Sequence, residues 1–157
     1  MRTEKPTVLL VEDNDDDYQL MQVAFQRTPG SLELLRAEDG DVALDYLAGK
    51  DEYSDRDRYP FPHLVLLDIK LPRRSGFEVL DWIRKNSPLR RLPVVMFTSS
   101  RHTVDVNKAY ELGASGYFGK PESMKELAIL LGELKNVWGR LEFPTEADPI
   151  AKTQIRQ

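Results

Sequence analysis

Thr7-Val8-Leu9-Leu10-Val11-Glu12-Asp13 is the stretch on which the fold turns: five β-forming residues without a polar interruption, ending on two acids. A strand with one wet face alternates apolar and polar residues. A continuous apolar run of this length, bounded by turn signals, is instead covered on both faces, as in a parallel sheet packed between helices. The pattern recurs at His63-Leu64-Val65-Leu66-Leu67, which stops at Asp68, and at Pro93-Val94-Val95-Met96-Phe97, which stops at Thr98. A weaker second strand is expected at Leu32 to Arg36, after the turn residues Pro29-Gly30, and a fifth at Ser115 to Phe118, which stops before Lys120-Pro121.

Helical patterns fill the intervals. Asn14 or Asp15 can cap a helix to about Thr28, with Leu20, Met21, Ala24 and Phe25 at core spacing. Shorter helices are expected over Asp41 to Leu47, Ser75 to Lys85 and Thr103 to Leu112, the last closed by Gly113. Glu122 to Trp138 carries the stripe Leu127, Leu130, Leu131, Leu134 and Trp138, with Ala128 and Ile129 left over as surplus apolar surface suited to a partner. Five strand–helix units in this order predict an α/β doubly wound, five-stranded parallel sheet with five helices. Lys50 to Pro62 is expected to be a long polar and aromatic loop, and residues 139–157 a tail too short for an effector domain.

Composition agrees and excludes much. The 157 residues are 41% hydrophobic and 31% charged, which suits one globular domain and neither a disordered chain nor a membrane protein. Zero cysteines remove thiol catalysis, Cys-based zinc sites and disulfides, and fit a reducing, cytoplasmic setting. Twenty-two basic against 26 acidic residues give a net charge of −4, a poor footprint for nucleic acid.

Ligands of open α/β sheets bind beyond the carboxyl ends of the strands. The residues there are Glu12-Asp13, Asp68, Thr98-Ser99 and Lys120. Carboxylates gathered in one cleft repel one another, and a hard divalent ion such as Mg²⁺ with oxygen ligands relieves that repulsion. A hydroxyl and an ammonium beside them suit phosphoryl oxygens, so the chemistry implied is phosphoryl transfer onto a carboxylate. Other candidates fall away. Asp15 to Asp17 are explained by the helix dipole. Asp13, Asp15 and Asp17 have calcium-loop spacing, but Tyr18 and Ala24 stand where the loop needs glycine and glutamate. His63 and His102 make no pair, and Gly113, Gly116 and Gly119 do not form the dinucleotide fingerprint.

Together the segments Val8–Asn14, Leu66–Pro72 with Gly76, Val94–Ser99 and Gly113–Pro121 resemble the receiver domain of two-component response regulators, over about residues 6–138. The resemblance implies a flavodoxin-like receiver fold, with Asp68 accepting phosphate from a sensor histidine kinase. It implies Mg²⁺ held by Asp13 directly, Glu12 through water, Asp68 itself and the backbone carbonyl of Lys70. It further implies Thr98 and Tyr117 as a switch pair, and Lys120 on the phosphoryl group with a cis bond to Pro121. Lys70 and Ser100 would tune phosphoryl lifetime. Such a domain catalyses only its own phosphorylation and dephosphorylation. The long charged loop before the third strand, Pro72-Arg73-Arg74-Ser75-Gly76, Leu89-Arg90-Arg91-Leu92-Pro93 and Trp138 also resemble stand-alone regulators that serve phytochrome kinases, lack an output domain and commonly form homodimers. The rival from enzyme chemistry is a phosphatase or phosphotransferase with Asp68 as nucleophile. Such enzymes place a second acid two residues on, where this chain has Lys70.

Overall fold

A computed structural model describes residues 6–27 and 32–138, together with 140 and 142. Thr28, the Pro29-Gly30 turn and nearly all of the 139–157 tail lie outside the described residues. The chain runs β1 (Thr7–Val11), α1 (Asp15–Arg27), β2 (Glu33–Ala37), α2 (Gly40–Ala48), β3 (Leu64–Leu67), α3 (Gly76–Lys85), β4 (Val94–Thr98), α4 (Thr103–Glu111), β5 (Gly116–Gly119) and α5 (Met124–Trp138). All strand pairs are parallel, in the order β2-β1-β3-β4-β5.

Alternate side chains of each central strand enter different cores. Leu9, Val11, Val65, Leu67, Val94 and Met96 pack with Ala43, Leu47, Val79, Leu80, Ile83 and Ala109 from α2, α3 and α4. Val8, Leu10, Leu64, Leu66, Val95 and Phe97 pack with Met21, Ala24, Phe25, Leu131, Leu134 and Trp138 from α1 and α5. The unbroken apolar runs are therefore two interleaved period-two patterns, one for each face. On the last helix Ala128 and Ile129 are exposed, as expected of residues off the stripe, and Val137 joins them at 56% exposure.

Capping explains where several helices begin. Ser75 and Glu78 form a reciprocal capping box at α3. Asp39 accepts the Val42 amide and starts α2 one residue before the expected Asp41. Ser123 accepts the Glu126 amide, so α5 begins at Met124 and not at Glu122. The Lys50–Pro62 segment is more ordered than a polar loop need be. It holds a 3-10 turn over Asp51–Ser54, and Tyr53 and Tyr59 gather on Tyr46 of α2 with ring centroids 5.0–6.0 Å apart. Arg56 donates to the Tyr46 and Leu47 carbonyls at the end of α2, at 2.8 and 3.2 Å.

The β3–α3 connection is closed by contact between backbones. The Gly76 amide donates to the Ile69 carbonyl at 2.8 Å, and a Cβ added at Gly76 would run into the Asp68 carbonyl oxygen and lie 2.9 Å from Ile69 Cα. Backbone atoms cannot swing aside as a side chain does. A Gly76→Ala variant is therefore expected to lose about 3 kcal/mol of stability, at the upper end of the cost of overpacking, read as a lower urea midpoint with an unchanged m-value.

Candidate functional site

Strand register brings the site together. Val11 pairs with Leu67, so Glu12 and Asp68 leave β1 and β3 side by side. Thr98 pairs with Gly119, and the Lys120 amide then donates to the Thr98 carbonyl at 2.8 Å. The strand order reverses between β1 and β3, and the crevice at that reversal is where open sheets take ligands.

Lys120 is the centre of the arrangement. Its Nζ donates to Glu12 Oε1 at 2.5 Å and to Asp68 Oδ2 at 2.8 Å. The side chains of Glu12, Asp68 and Lys120 are only 2%, 12% and 16% exposed, so their charges meet with little water between them. Burial pushes the Glu12 carboxyl up, a rise that the Lys120 bond only partly opposes and the Asp68 charge reinforces. Burial alone would lower Lys120, but Asp68 and Glu12 outweigh it and hold the ammonium above its ordinary range. Asp68 Oδ1 accepts the Ile69 amide at 2.7 Å, which fixes the carboxylate plane. Glu12 Oε2 accepts the Asn14 amide at 3.3 Å.

The other expected residues lie around this centre. Thr98 is 1% exposed, and its Oγ1 accepts the Ser100 amide at 3.4 Å. The Tyr117 hydroxyl donates to the Ser100 carbonyl at 2.9 Å, so both members of the expected switch pair meet at one residue. Burial raises the Tyr117 pKa, with Asp105 and Asp68 adding to the rise and the Ser100 bond opposing it. Ser100 Oγ in turn donates to Asp105 Oδ2 at 2.5 Å in the first turn of α4. Asp13 and Lys70 are exposed. One expectation is corrected: the Lys120–Pro121 bond is trans. Trans is the intrinsically favoured isomer by about 0.5–1 kcal/mol, and the Lys120 carbonyl also accepts Arg101 Nη2 at 3.0 Å.

Two arginines that sequence reasoning passed over shape the rim. Arg36 donates to the Glu12 carbonyl at 3.1 Å, the Asp13 carbonyl at 3.4 Å and the Asp15 carboxylate at 2.8 Å, with Tyr18 beneath its guanidinium. A charged residue inside the apolar β2 run is the signal that could have found it. Arg101 ties the β4–α4 loop to the end of β5, and no sequence pattern announces that contact.

Among the described residues, no three carboxylate or imidazole side chains converge as a ready metal cluster. Two of the three expected carboxylates share Lys120 instead. The donor chemistry nevertheless fits a hard cation. Every candidate ligand is an oxygen, and three carboxylates against one ammonium leave an excess of two negative charges.

Residues 8–131 match the family model described as the response regulator receiver domain. Response regulator Rcp1 of Synechocystis sp. is 36% identical over 131 residues, 83% of this chain and 87% of Rcp1. The crystal structure of the Mn(2+)-bound form of Rcp1 superposes with a TM-score of 0.80 at 34% identity, covering 89% of this chain and 99% of that one. The probable methanogenesis regulatory protein FilR2 of Methanothrix harundinacea is 38% identical over 133 residues, 83% of this chain and 82% of FilR2. The phosphorylated cyanobacterial phytochrome response regulator RcpA superposes with a TM-score of 0.81 at 31% identity, covering 90% of this chain and all of that one.

Proposed function

The chain belongs to the response regulator receiver domain family, and from that premise we propose that Asp68 accepts a phosphoryl group from a sensor histidine kinase in a Mg²⁺-dependent transfer. Receivers take phosphate on an aspartate, signal through a conformational change and catalyse only their own phosphorylation and dephosphorylation. The chain is accordingly no enzyme toward an external substrate. One observation carries the assignment to Asp68: of the two carboxylates that Lys120 holds at the reversal of strand order, Asp68, 2.8 Å from Nζ, is the more accessible, its side chain 12% exposed against 2% for Glu12.

In the transfer, an Asp68 carboxylate oxygen attacks phosphorus. The P–N bond to the kinase imidazole breaks, the imidazole nitrogen keeps the electron pair, and an acyl phosphate forms. The reaction demands positioning and charge compensation, with little covalent chemistry for the protein to add. Lys120 supplies a positive charge already held in the cleft, and the Ile69 amide fixes the carboxylate. Glu12, Asp13, Asp68 and the Lys70 carbonyl would hold the cation, an assignment supported by their oxygen donors and by the divalent ion in the similar Rcp1 structure. The chemistry that Mg²⁺ would supply there is neutralisation of charge on the phosphoryl oxygens.

Thr98 and Tyr117 form the switch, joined through Ser100 and from there to α4. The readout is a changed surface and association into a homodimer, for which exposed Ile129 and Val137 on α5 offer apolar contact. A phytochrome is the proposed kinase, supported by the likeness to RcpA. The proposed setting is the cytoplasm; among the described residues no helix is long and apolar enough to cross a membrane.

Incubation with acetyl phosphate and Mg²⁺, reduction of the acyl phosphate with borohydride and peptide mapping test the reading. Modification is expected at Asp68 alone and is expected to vanish with EDTA. Label at another residue, or label indifferent to EDTA, would overturn it.

A further inference from the structure

The segment between Asp68 and α3 contains a strained turn. Arg73 has φ +69°, a left-handed conformation that residues other than glycine seldom adopt. The Arg74 amide donates to the Pro72 carbonyl at 2.8 Å, which makes Arg73 the centre of a three-residue turn of the rare, strained kind. Such a conformation persists only where its surroundings enforce it. Here the enforcing element is the start of α2. Gly40 packs so closely that an added Cβ would run into the Arg74 carbonyl oxygen and lie 2.7 Å from Arg74 Cβ. Asp41 Oδ1 accepts Arg74 Nε at 2.7 Å, and Asp39 Oδ2 faces Arg73 Nε at 3.4 Å while its Oδ1 caps the helix. Both arginines are well exposed, at 69% for Arg73 and 47% for Arg74, so the ion pairs contribute little alone and the Gly40 contact is the firmer restraint.

The turn begins two residues after Lys70, and Gly76 closes the segment's far end against the Ile69 carbonyl. The loop that carries the Lys70 carbonyl is thus fixed at its neck and clamped from a different helix. We propose that Arg73 and Gly40 are positioning residues for divalent-cation binding: the enforced turn at Arg73, held by Gly40, presets the loop that presents the Lys70 carbonyl. The inference rests on the cation site proposed above. Neither residue touches the cation; both act through backbone shape.

The test is Mn²⁺ titration of the full chain, with the free ion counted by electron paramagnetic resonance and stability followed by urea unfolding. Arg73→Gly relieves the left-handed strain yet frees the loop. It is expected to weaken Mn²⁺ binding about two- to fivefold, the scale of glycine's added backbone freedom, with a urea midpoint unchanged or raised. Gly40→Ala displaces the clamp and is expected to weaken binding about tenfold, as loss of an outer support of a metal site does. Gly49→Ala, at φ +66° at the other end of α2, serves as control: stability should fall and Mn²⁺ affinity hold. Wild-type affinity in folded Arg73→Gly would overturn the proposal even if Gly40→Ala failed to fold. The cation site fails separately, and this inference with it, should the wild-type chain bind no Mn²⁺ or Asp13→Asn bind it as well as wild type.

Discussion

An Asp68→Asn chain is expected to take up no phosphoryl group from acetyl phosphate or a kinase, while unfolding within about 1 kcal/mol of the wild type. The carboxamide carries no negative charge and its nitrogen lone pair is delocalised, so it offers phosphorus no competent nucleophile. The near-neutral stability follows from opposed local changes. The substituted side chain would keep an oxygen for the Ile69 amide, which lies 2.7 Å from Oδ1 of Asp68. It would also set an NH₂ group against Lys120 Nζ, which lies 2.8 Å from Oδ2 of Asp68. Lys120 retains Glu12, and Glu12 is relieved of the Asp68 charge that helps to raise its pKa. Intact-mass spectrometry reads the first effect and urea unfolding the second. A folded variant that still gains the mass of one phosphoryl group would place the acceptor elsewhere.

Much of this site was legible because it lies at the ends of strands that announce themselves. Val8–Val11, Leu64–Leu67 and Val94–Phe97 must be buried on both faces, so the first polar residue after each marks the carboxyl edge of the sheet. Glu12, Asp68 and Thr98 follow from that rule without any contact being known. Lys120 is less exposed to such reasoning, since β5 is half-buried along its whole length and its boundary is soft. What stayed hidden is what depends on distance along the chain. The Asp41–Arg74 pair joins residues 33 apart, and Ser100 becomes the meeting point of Thr98 and Tyr117 only when β4 and β5 lie side by side. The order within Lys50–Pro62 was obscured differently. Its many charges suggest a solvent-facing loop, whereas Tyr53, Tyr59 and Phe61 pack and Arg56 turns inward onto the Tyr46 and Leu47 carbonyls. The partition of charge was hidden as well: sequence places three acids near a lysine, but only the structure shows that lysine already bonded to two of them.

That partition leads to the largest stability effect expected here. Lys120→Met keeps most of the side-chain volume but removes the ammonium, leaving Glu12 buried with no cation and Asp68 beside it. Deleting one partner of a buried ion pair costs about 3–5 kcal/mol, and a loss of that size is expected near neutral pH without added metal. The sign of its pH dependence follows from the carboxyl. Glu12 is raised in the folded chain, so its protonated form favours folding below the unfolded value of 4.5, and that advantage is lost as pH rises through the folded pKa. Removing Lys120 deletes both Lys120 influences that lower Glu12, which carries its folded pKa further up. The variant should therefore approach the wild type in acid and fall progressively behind as Glu12 ionises. The wild type keeps the Lys120 contribution until pH rises past the unfolded 10.5 and through the raised folded pKa. Magnesium should stabilise the variant more than the wild type, because a cation among Glu12, Asp13 and Asp68 would replace the missing charge. Urea midpoints at pH 5 and 8, each with and without Mg²⁺, decide the matter. A loss equal at both pH values and blind to Mg²⁺ would mean that Lys120 acts through packing alone, and the charge balance drawn for the cleft would be wrong.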